Sequence, residues 1–159
     1  MIELAQLDTE PEACPYLPGR EARTRYRLVS DLLPREYDEK LSQGWRRFGS
    51  ILFSPRCDAC TECLSIRIPV ERFSPSKSQR RVLRRNRDLS LEVDTPKLDE
   101  ERLELYTRHH ADRETRRGWP SAAMGFEEYY ETFCLNAVET LEFCYRLDER
   151  LVAVAYVGQ

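Results

Sequence analysis

Apolar and polar positions alternate along several stretches of this chain, and elsewhere recur at helical spacing. Residues 1–13 show neither pattern and are expected to be loose and polar. Cys14 to Arg20 (CPYLPGR) is predicted to be a rigid turn, since Pro15, Pro18 and Gly19 restrict or bend the backbone. Alternation around Tyr26 and Leu28 predicts a strand over Arg23–Val29. A short helix follows over Pro34–Ser42, closed by Gly44. FGSILF is a strand candidate. LSIRIPV sets Leu64, Ile66 and Ile68 against Ser65 and Arg67 and predicts another.

Further on, SPSKSQRRVLRRNRDL reads as a helix with Ser76 or Ser78 as N-cap, and LSLEVDTP as a short strand. LDEERLELYTRHHADRE predicts an amphipathic helix with Leu98, Leu103, Leu105 and Tyr106 on its apolar side. After a Gly-Trp-Pro loop, GFEEYYETFCLN predicts a second helix. TLEFCYRLDERLVAVAYVG predicts a β-hairpin turning at Asp148-Glu149-Arg150. Two strands alone are marginal, so the sheet is expected to be cut short at Gln159 or completed by a partner. The pattern is α+β. Asp94-Thr95-Pro96 is the best boundary signal and divides the chain into 1–95 and 96–159.

At 159 residues the chain amounts to one domain, or one and part of another. No apolar run nears the ~20 residues of a membrane span, and no basic-then-apolar leader opens the sequence. A cytoplasmic protein without membrane partners is expected. That expectation changes the meaning of the six cysteines. In a reducing compartment, thiols serve as metal ligands or reactive groups more often than as disulfides.

Cys57, Cys60 and Cys63 form C-x-x-C-x-x-C, a spacing whose thiolates can converge on zinc or on an iron–sulfur cluster. Cys14, in the Pro-rich turn, is the candidate fourth ligand. The plainer alternative is a set of buried thiols or a redox pair. Cys134 and Cys144 fall on apolar segments and read as small core residues.

A second cluster changes the picture of the charge. The formal net charge is −3. Yet Lys77, Arg80, Arg81, Arg84, Arg85 and Arg87 meet no acid between Glu71 and Asp88. On a helix, Arg80, Arg81, Arg84 and Arg85 share one face, a footprint for RNA phosphates or another polyanion. His109 and His110, beside Asp112 and Glu114, read as surface residues of a charged helix. Phosphate-loop, dinucleotide, zincin and serine-hydrolase motifs do not occur, so no nucleotide cofactor is expected.

CPYLPGR, followed by GWRRFGSILFSPRCDACTECLSIRIPVERFSPSKSQRRVLRRNRDL, closely resembles the N-terminal region of the bacterial aspartate/glutamate leucyltransferases, which group with the arginyl-tRNA–protein transferases. LYTRHH, FEEYYETF and RLVAVA resemble the start of that family's C-terminal domain more loosely. The resemblance implies transfer of leucine, or arginine, from charged tRNA to the N-terminal amine of proteins beginning with Asp or Glu, which marks them for N-degron proteolysis. It implies that 96–159 begins a GNAT-like acyltransferase domain that continues further in the family. It also agrees with a metal or cluster at Cys14, Cys57, Cys60 and Cys63, since eukaryotic relatives place an iron–sulfur cluster at N-terminal cysteines. The basic helix would hold tRNA phosphates. Arg20, Arg46, Arg47 and Arg67 are candidates for the cation that an acidic N-terminus requires. No catalytic residue is assigned. The rival expectation is a zinc or iron–sulfur RNA-binding module without catalysis.

Overall fold

The computed structural model of the chain describes residues 1–121 and 123–159. They form two compact units, one of residues 1–67 with 135–139, the other of 68–134 with 140–159. The division falls after Arg67, and Asp94-Thr95-Pro96 lies inside the second unit.

The first unit is built on a four-stranded sheet. Its strands are β1 (Ile2–Asp8), β4 (Thr24–Ser30), β5 (Arg46–Phe48) and β6 (Ile51–Pro55), in the order β1-β4-β6-β5. All its pairings are antiparallel. A separate two-stranded ribbon joins β2 (Glu12–Ala13) to β3 (Glu21–Ala22). Residues 1–13, expected to be loose, therefore carry two strands. β1 is an exposed edge strand, so it shows no buried face for a pattern to reveal. Cross-strand charge pairs secure it: Arg25 forks onto Asp8 with both contacts at 2.6 Å, and Arg27 reaches Glu3 at 3.3 Å.

FGSILF divides into β5 and β6 around Gly49, whose φ of +58° suits glycine at a tight turn. Helix α1 (Pro34–Ser42) starts with Pro34 at its first position, and Glu36 accepts the Leu33 N–H at 3.0 Å. It ends at Gln43, and Gly44 takes φ +83°. The core comprises Val29, Leu32, Trp45 and Leu52 with Ala137 and Val138, which the later chain returns to this unit. The Leu32 N–H donates to the Ala137 carbonyl at 2.9 Å, and Arg47 donates to Asn136 at 2.6 Å.

The strand expected at LSIRIPV does not form. Leu64, Ile66 and Ile68 are exposed, and Ile66 keeps 91% of its surface in water. The alternation is present, but no described strand pairs with it, and Pro69 lacks the N–H a ladder needs.

The second unit contains helix α2 (Lys77–Arg85), strand β7 (Ser90–Asp94), helix α3 (Glu100–Arg117), a single turn α4 (Phe126–Tyr129), and strands β8 (Thr140–Leu147) and β9 (Arg150–Gly158). The sequence pattern extends one helix to Asn136; instead α4 widens into a π-helical turn over Tyr130–Cys134 and then stops. The β8–β9 hairpin turns at Asp148 and Glu149, both at positive φ, and Arg150 already pairs with Leu147. β7 pairs antiparallel with β8, so the hairpin is completed from inside the chain as a sheet of order β7-β8-β9.

α3 is capped by Asp99, which accepts the Arg102 N–H at 2.9 Å, and ends at Gly118 with φ +65°. Arg102 turns into the unit and donates to Glu142 on β8 at 2.9 and 2.5 Å, also meeting Asp99. Glu142 is fully buried. Arg146 forks onto Glu101 at 3.1 and 2.9 Å. Among the described residues no helix is long and apolar enough to cross a membrane.

These charge pairs predict an acid limit. The Arg25 guanidinium holds the Asp8 carboxyl below its usual range, and Arg146 with the Leu151 N–H does the same for Glu101. A depressed carboxylate stabilises the fold at pH above the ordinary range near ~4 and loses that contribution as pH falls through its lower folded value. The urea midpoint should stay level from neutral pH to about 5, then fall. Asp8→Asn and Glu101→Gln should each flatten that acid limb, measured by urea melts across pH.

Candidate functional site

Two regions gather chemistry-bearing side chains, one in each unit. In the first unit the turn at Leu17–Arg20 places Pro18 and Gly19 at its centre; Gly19 adopts φ +72° and the Arg20 N–H returns to the Leu17 carbonyl at 3.3 Å. Cys14, just before it, donates its N–H to the Arg20 carbonyl at 2.9 Å. The Arg23 carbonyl receives the Arg56 N–H at 2.8 Å and faces the Cys57 thiol at 3.9 Å. This ties the start of the cysteine motif to the start of β4.

The four predicted cysteines border one open cavity of about 580 Å³. Arg23, Arg46, Tyr16, Tyr26 and Phe53 complete much of its wall. All four thiols are free. Cys14, Cys57 and Cys60 are partly buried and Cys63 is exposed. Sharing a cavity is not the same as converging. Among the described residues, no three Cys, His, Asp or Glu side chains are grouped as a metal ion requires.

The predicted arginines have distinct fates. Arg20 borders a smaller cavity with Cys57 and Cys60 and donates to the Ala59 carbonyl at 3.3 Å. Arg46 borders the large cavity. Arg47 is committed to Gly49 and Asn136, with its guanidinium 5.7 Å from the Tyr37 ring centre. Arg67 is exposed and lies outside any helix or strand. Arg23, passed over in the sequence as a strand residue, borders both cavities. Its Nε is buried without a hydrogen-bond partner among the described residues, and its Nη1 is 4.0 Å from Asp58. Its alternation signalled a strand and gave no hint of the second role.

In the second unit α2 carries the basic cluster. Ser76 caps it, accepting the Gln79 N–H at 3.3 Å while the Gln79 side chain accepts the Ser76 N–H at 2.7 Å. None of its residues is buried. Among the described residues Lys77, Arg80, Arg81, Arg84, Arg85 and Arg87 form no salt bridge, though Arg80 donates to the Pro75 carbonyl. An exposed arginine face without internal counter-charge is suited to phosphate oxygens.

The same unit holds an aromatic cluster the sequence pattern did not single out. Tyr106, Tyr129, Phe133 and Tyr156 line an apolar cavity of about 380 Å³ beside β9, with Arg102 also on its lining. Cys144 lies buried next to the Arg102–Glu142 pair, 3.1 Å from each. His110 pairs with Glu114 at 3.0 Å, and Trp119 packs edge-on against both histidines.

The thiols should therefore separate by reactivity. Burial first, then the Glu142 carboxylate, pushes the Cys144 thiol up to about 11, so it holds little thiolate at neutral pH. Ellman's reagent should modify Cys63 fast in the native chain and Cys144 only once urea unfolds it. Mass-mapped labelling with and without urea checks the order.

Comparison with known proteins places these features. A family model described as arginine-tRNA–protein transferase, N terminus, matches residues 12–81. The chain is similar to proteins named aspartate/glutamate leucyltransferase: 38% identical over 163 residues in Pseudomonas putida, covering 98% of this chain and 67% of that protein. The corresponding protein of Helicobacter hepaticus is 29% identical over 157 residues, covering 98% of this chain and 65% of that one. In Campylobacter jejuni the values are 32% over 155 residues, 97% and 64%. This chain thus spans about two thirds of the length of these relatives.

Proposed function

The chain belongs to the aspartate/glutamate leucyltransferase family, and from that premise we propose that it moves leucine from leucyl-tRNA to the α-amine of proteins beginning with Asp or Glu. Such a tag marks the acceptor for N-degron proteolysis. The observation that most supports an RNA-borne donor is α2, whose arginines are exposed and unopposed by acids. Residues 96–159 are read, with the family, as part of a GNAT-like acyltransferase domain.

The chemistry asks for little covalent assistance. An aminoacyl ester is already activated. The acceptor α-amine has a pKa near ~8, so a useful fraction is neutral at cellular pH. Its lone pair attacks the ester carbonyl, the nitrogen gives up a proton, the tetrahedral oxyanion collapses to the amide, and the tRNA ribose oxygen leaves with a proton as the hydroxyl. Holding amine and ester together is the larger part of the task. A backbone N–H or an arginine aimed at the oxyanion adds to it. The acceptor's carboxylate side chain requires a cation, and Arg20, Arg46 and Arg23 at the cysteine cavities are better placed for it than Arg47, which already serves Gly49 and Asn136. No step passes through a metal.

The deciding experiment is transfer of radiolabel from leucyl-tRNA, with arginyl-tRNA in parallel, to peptides beginning with Asp, Glu or Ala. Label from leucyl-tRNA on the acidic peptides alone is expected. Label on no peptide overturns transfer by this chain and leaves RNA binding without catalysis.

RNA contact is tested separately. Arg80→Ala with Arg84→Ala should weaken tRNA binding and reduce the log–log salt slope by about 2, one unit per lost phosphate contact. Filter binding at several salt concentrations measures the slope, and an unchanged slope removes α2 from the interface.

A further inference from the structure

We propose that the aromatic cavity of the second unit receives the side chain of the amino acid being transferred, and that its lining selects an aliphatic side chain over a cationic one. This rests on the transferase function proposed above and gives the donor side chain a place.

The cavity lies against α3, the α4–π turn and β9. Leu105 and Tyr106 come from the first, Tyr129 and Phe133 from the second, Val154 and Tyr156 from the third. At about 380 Å³ it is at the small end of small-molecule sites. Its walls are held in place. Phe133 stacks on Tyr156, with ring centres 5.2 Å apart and planes 17° from parallel. Tyr129 packs on Phe133 at 4.8 Å. The Tyr129 and Tyr156 hydroxyls satisfy each other at 2.8 Å, so the phenols need no ligand to complete them. Burial raises both hydroxyls above their usual range, and they remain neutral.

The charges decide which side chain fits. No Asp or Glu lines the cavity. Arg102 does, and its charge is already taken by Glu142 and Asp99. An arginyl side chain would lose its hydration beside another guanidinium and find no carboxylate on the wall, which is costly for a charge. A leucyl side chain gives up only unfavourable contact with water. A nucleobase suits the cavity less well. The Phe133 and Tyr156 faces already cover each other, and Tyr106 meets Tyr129 edge-on at 89°, so the rings offer few open faces for stacking.

The test uses the whole 159-residue chain, isotope-labelled, and stable amide analogues of aminoacyl-adenosine carrying leucyl, arginyl or glycyl groups, with adenosine alone as reference. The leucyl probe should shift resonances of Phe133, Val154 and Tyr156 and bind about tenfold tighter or more than the glycyl and arginyl probes, the discrimination expected of a hydrophobic pocket. Leu105→Asp puts a carboxylate on the wall and should lower leucyl affinity at least about tenfold while raising arginyl affinity. Val154→Thr keeps the shape, adds one hydroxyl and should weaken the leucyl probe by a few-fold, which guards against misfolding of the charged variant. Equal affinity for leucyl and glycyl probes, shifts that map elsewhere, or the same shifts with adenosine alone would each overturn the proposal. Transfer assays separate it from the function it rests on. Leucine transfer with unaltered donor preference in both variants sinks the cavity and leaves the transferase standing. A chain that binds the leucyl probe in the cavity yet never transfers leucine sinks the transferase alone.

Discussion

The second unit depends on one buried ion pair. Arg102, near the start of α3, reaches Glu142 on the middle strand of the three-stranded sheet. Neither charge is tolerable alone at that depth. Glu142 has no exposed surface and Arg102 almost none. Removing one partner would strand the other at a cost of roughly 3–5 kcal/mol. A fully apolar pair of similar volume could stabilise the unit as well, so the salt bridge is better understood as fixing position. It sets where α3 lies on the sheet, and so where Leu105 and Tyr106, one turn later, meet β9. It also turns a guanidinium toward the aromatic cavity with its charge already matched. The walls of that cavity inherit their placement from this pair.

The first unit is organised differently. Its core is thin: six buried residues, two of them returned from the far side of the sequence. Trp45 is its largest member, and three cations surround the ring. The guanidinium carbons of Arg27 and Arg56 and the Lys40 nitrogen lie 4.7, 5.6 and 5.9 Å from its centre. Each such contact adds stability where the ring is shielded from water. The side chains that would otherwise be solvent-facing charges thereby cover the core. The cysteine cavity stands where β4 begins at Thr24 and β6 ends at Pro55.

Much of this was legible in the sequence where local rules govern. Gly44 and the Ser76 or Ser78 pair announce helix ends through capping chemistry that operates within a few residues. The β8–β9 hairpin follows from unbroken alternation, although the turn is one residue shorter than the pattern suggested. The failures have a common cause. β1 is stabilised by Arg25 and Arg27 from a strand beyond an intervening turn, and its own residues bury nothing. Leu64, Ile66 and Ile68 show the reverse case, a strand pattern with no described neighbour to pair with. Alternation specifies which face a strand presents, and only a partner makes it a strand. The cysteine spacing was likewise visible, whereas the cavity that all four cysteines border belongs to tertiary structure.

The aminoacyl transfer we propose would place unequal demands on its parts, and two features of the second unit suit different ones. The polyanionic carrier calls for dispersed positive charge, which α2 displays over an exposed face where high dielectric keeps each contact weak and salt-sensitive. Recognition of the transferred side chain calls for the opposite, a dry and rigid surface where one misplaced charge is decisive. On the proposed reading the aromatic cavity suits that second demand, since the Tyr129 and Tyr156 hydroxyls pair with each other and the Arg102 guanidinium with the Glu142 carboxylate. If both proposals hold, affinity for the carrier can change by several arginines without altering which amino acid is accepted. On the proposed reading the identity of the donor, in contrast, rests on a few side chains that share one buried salt bridge as their support.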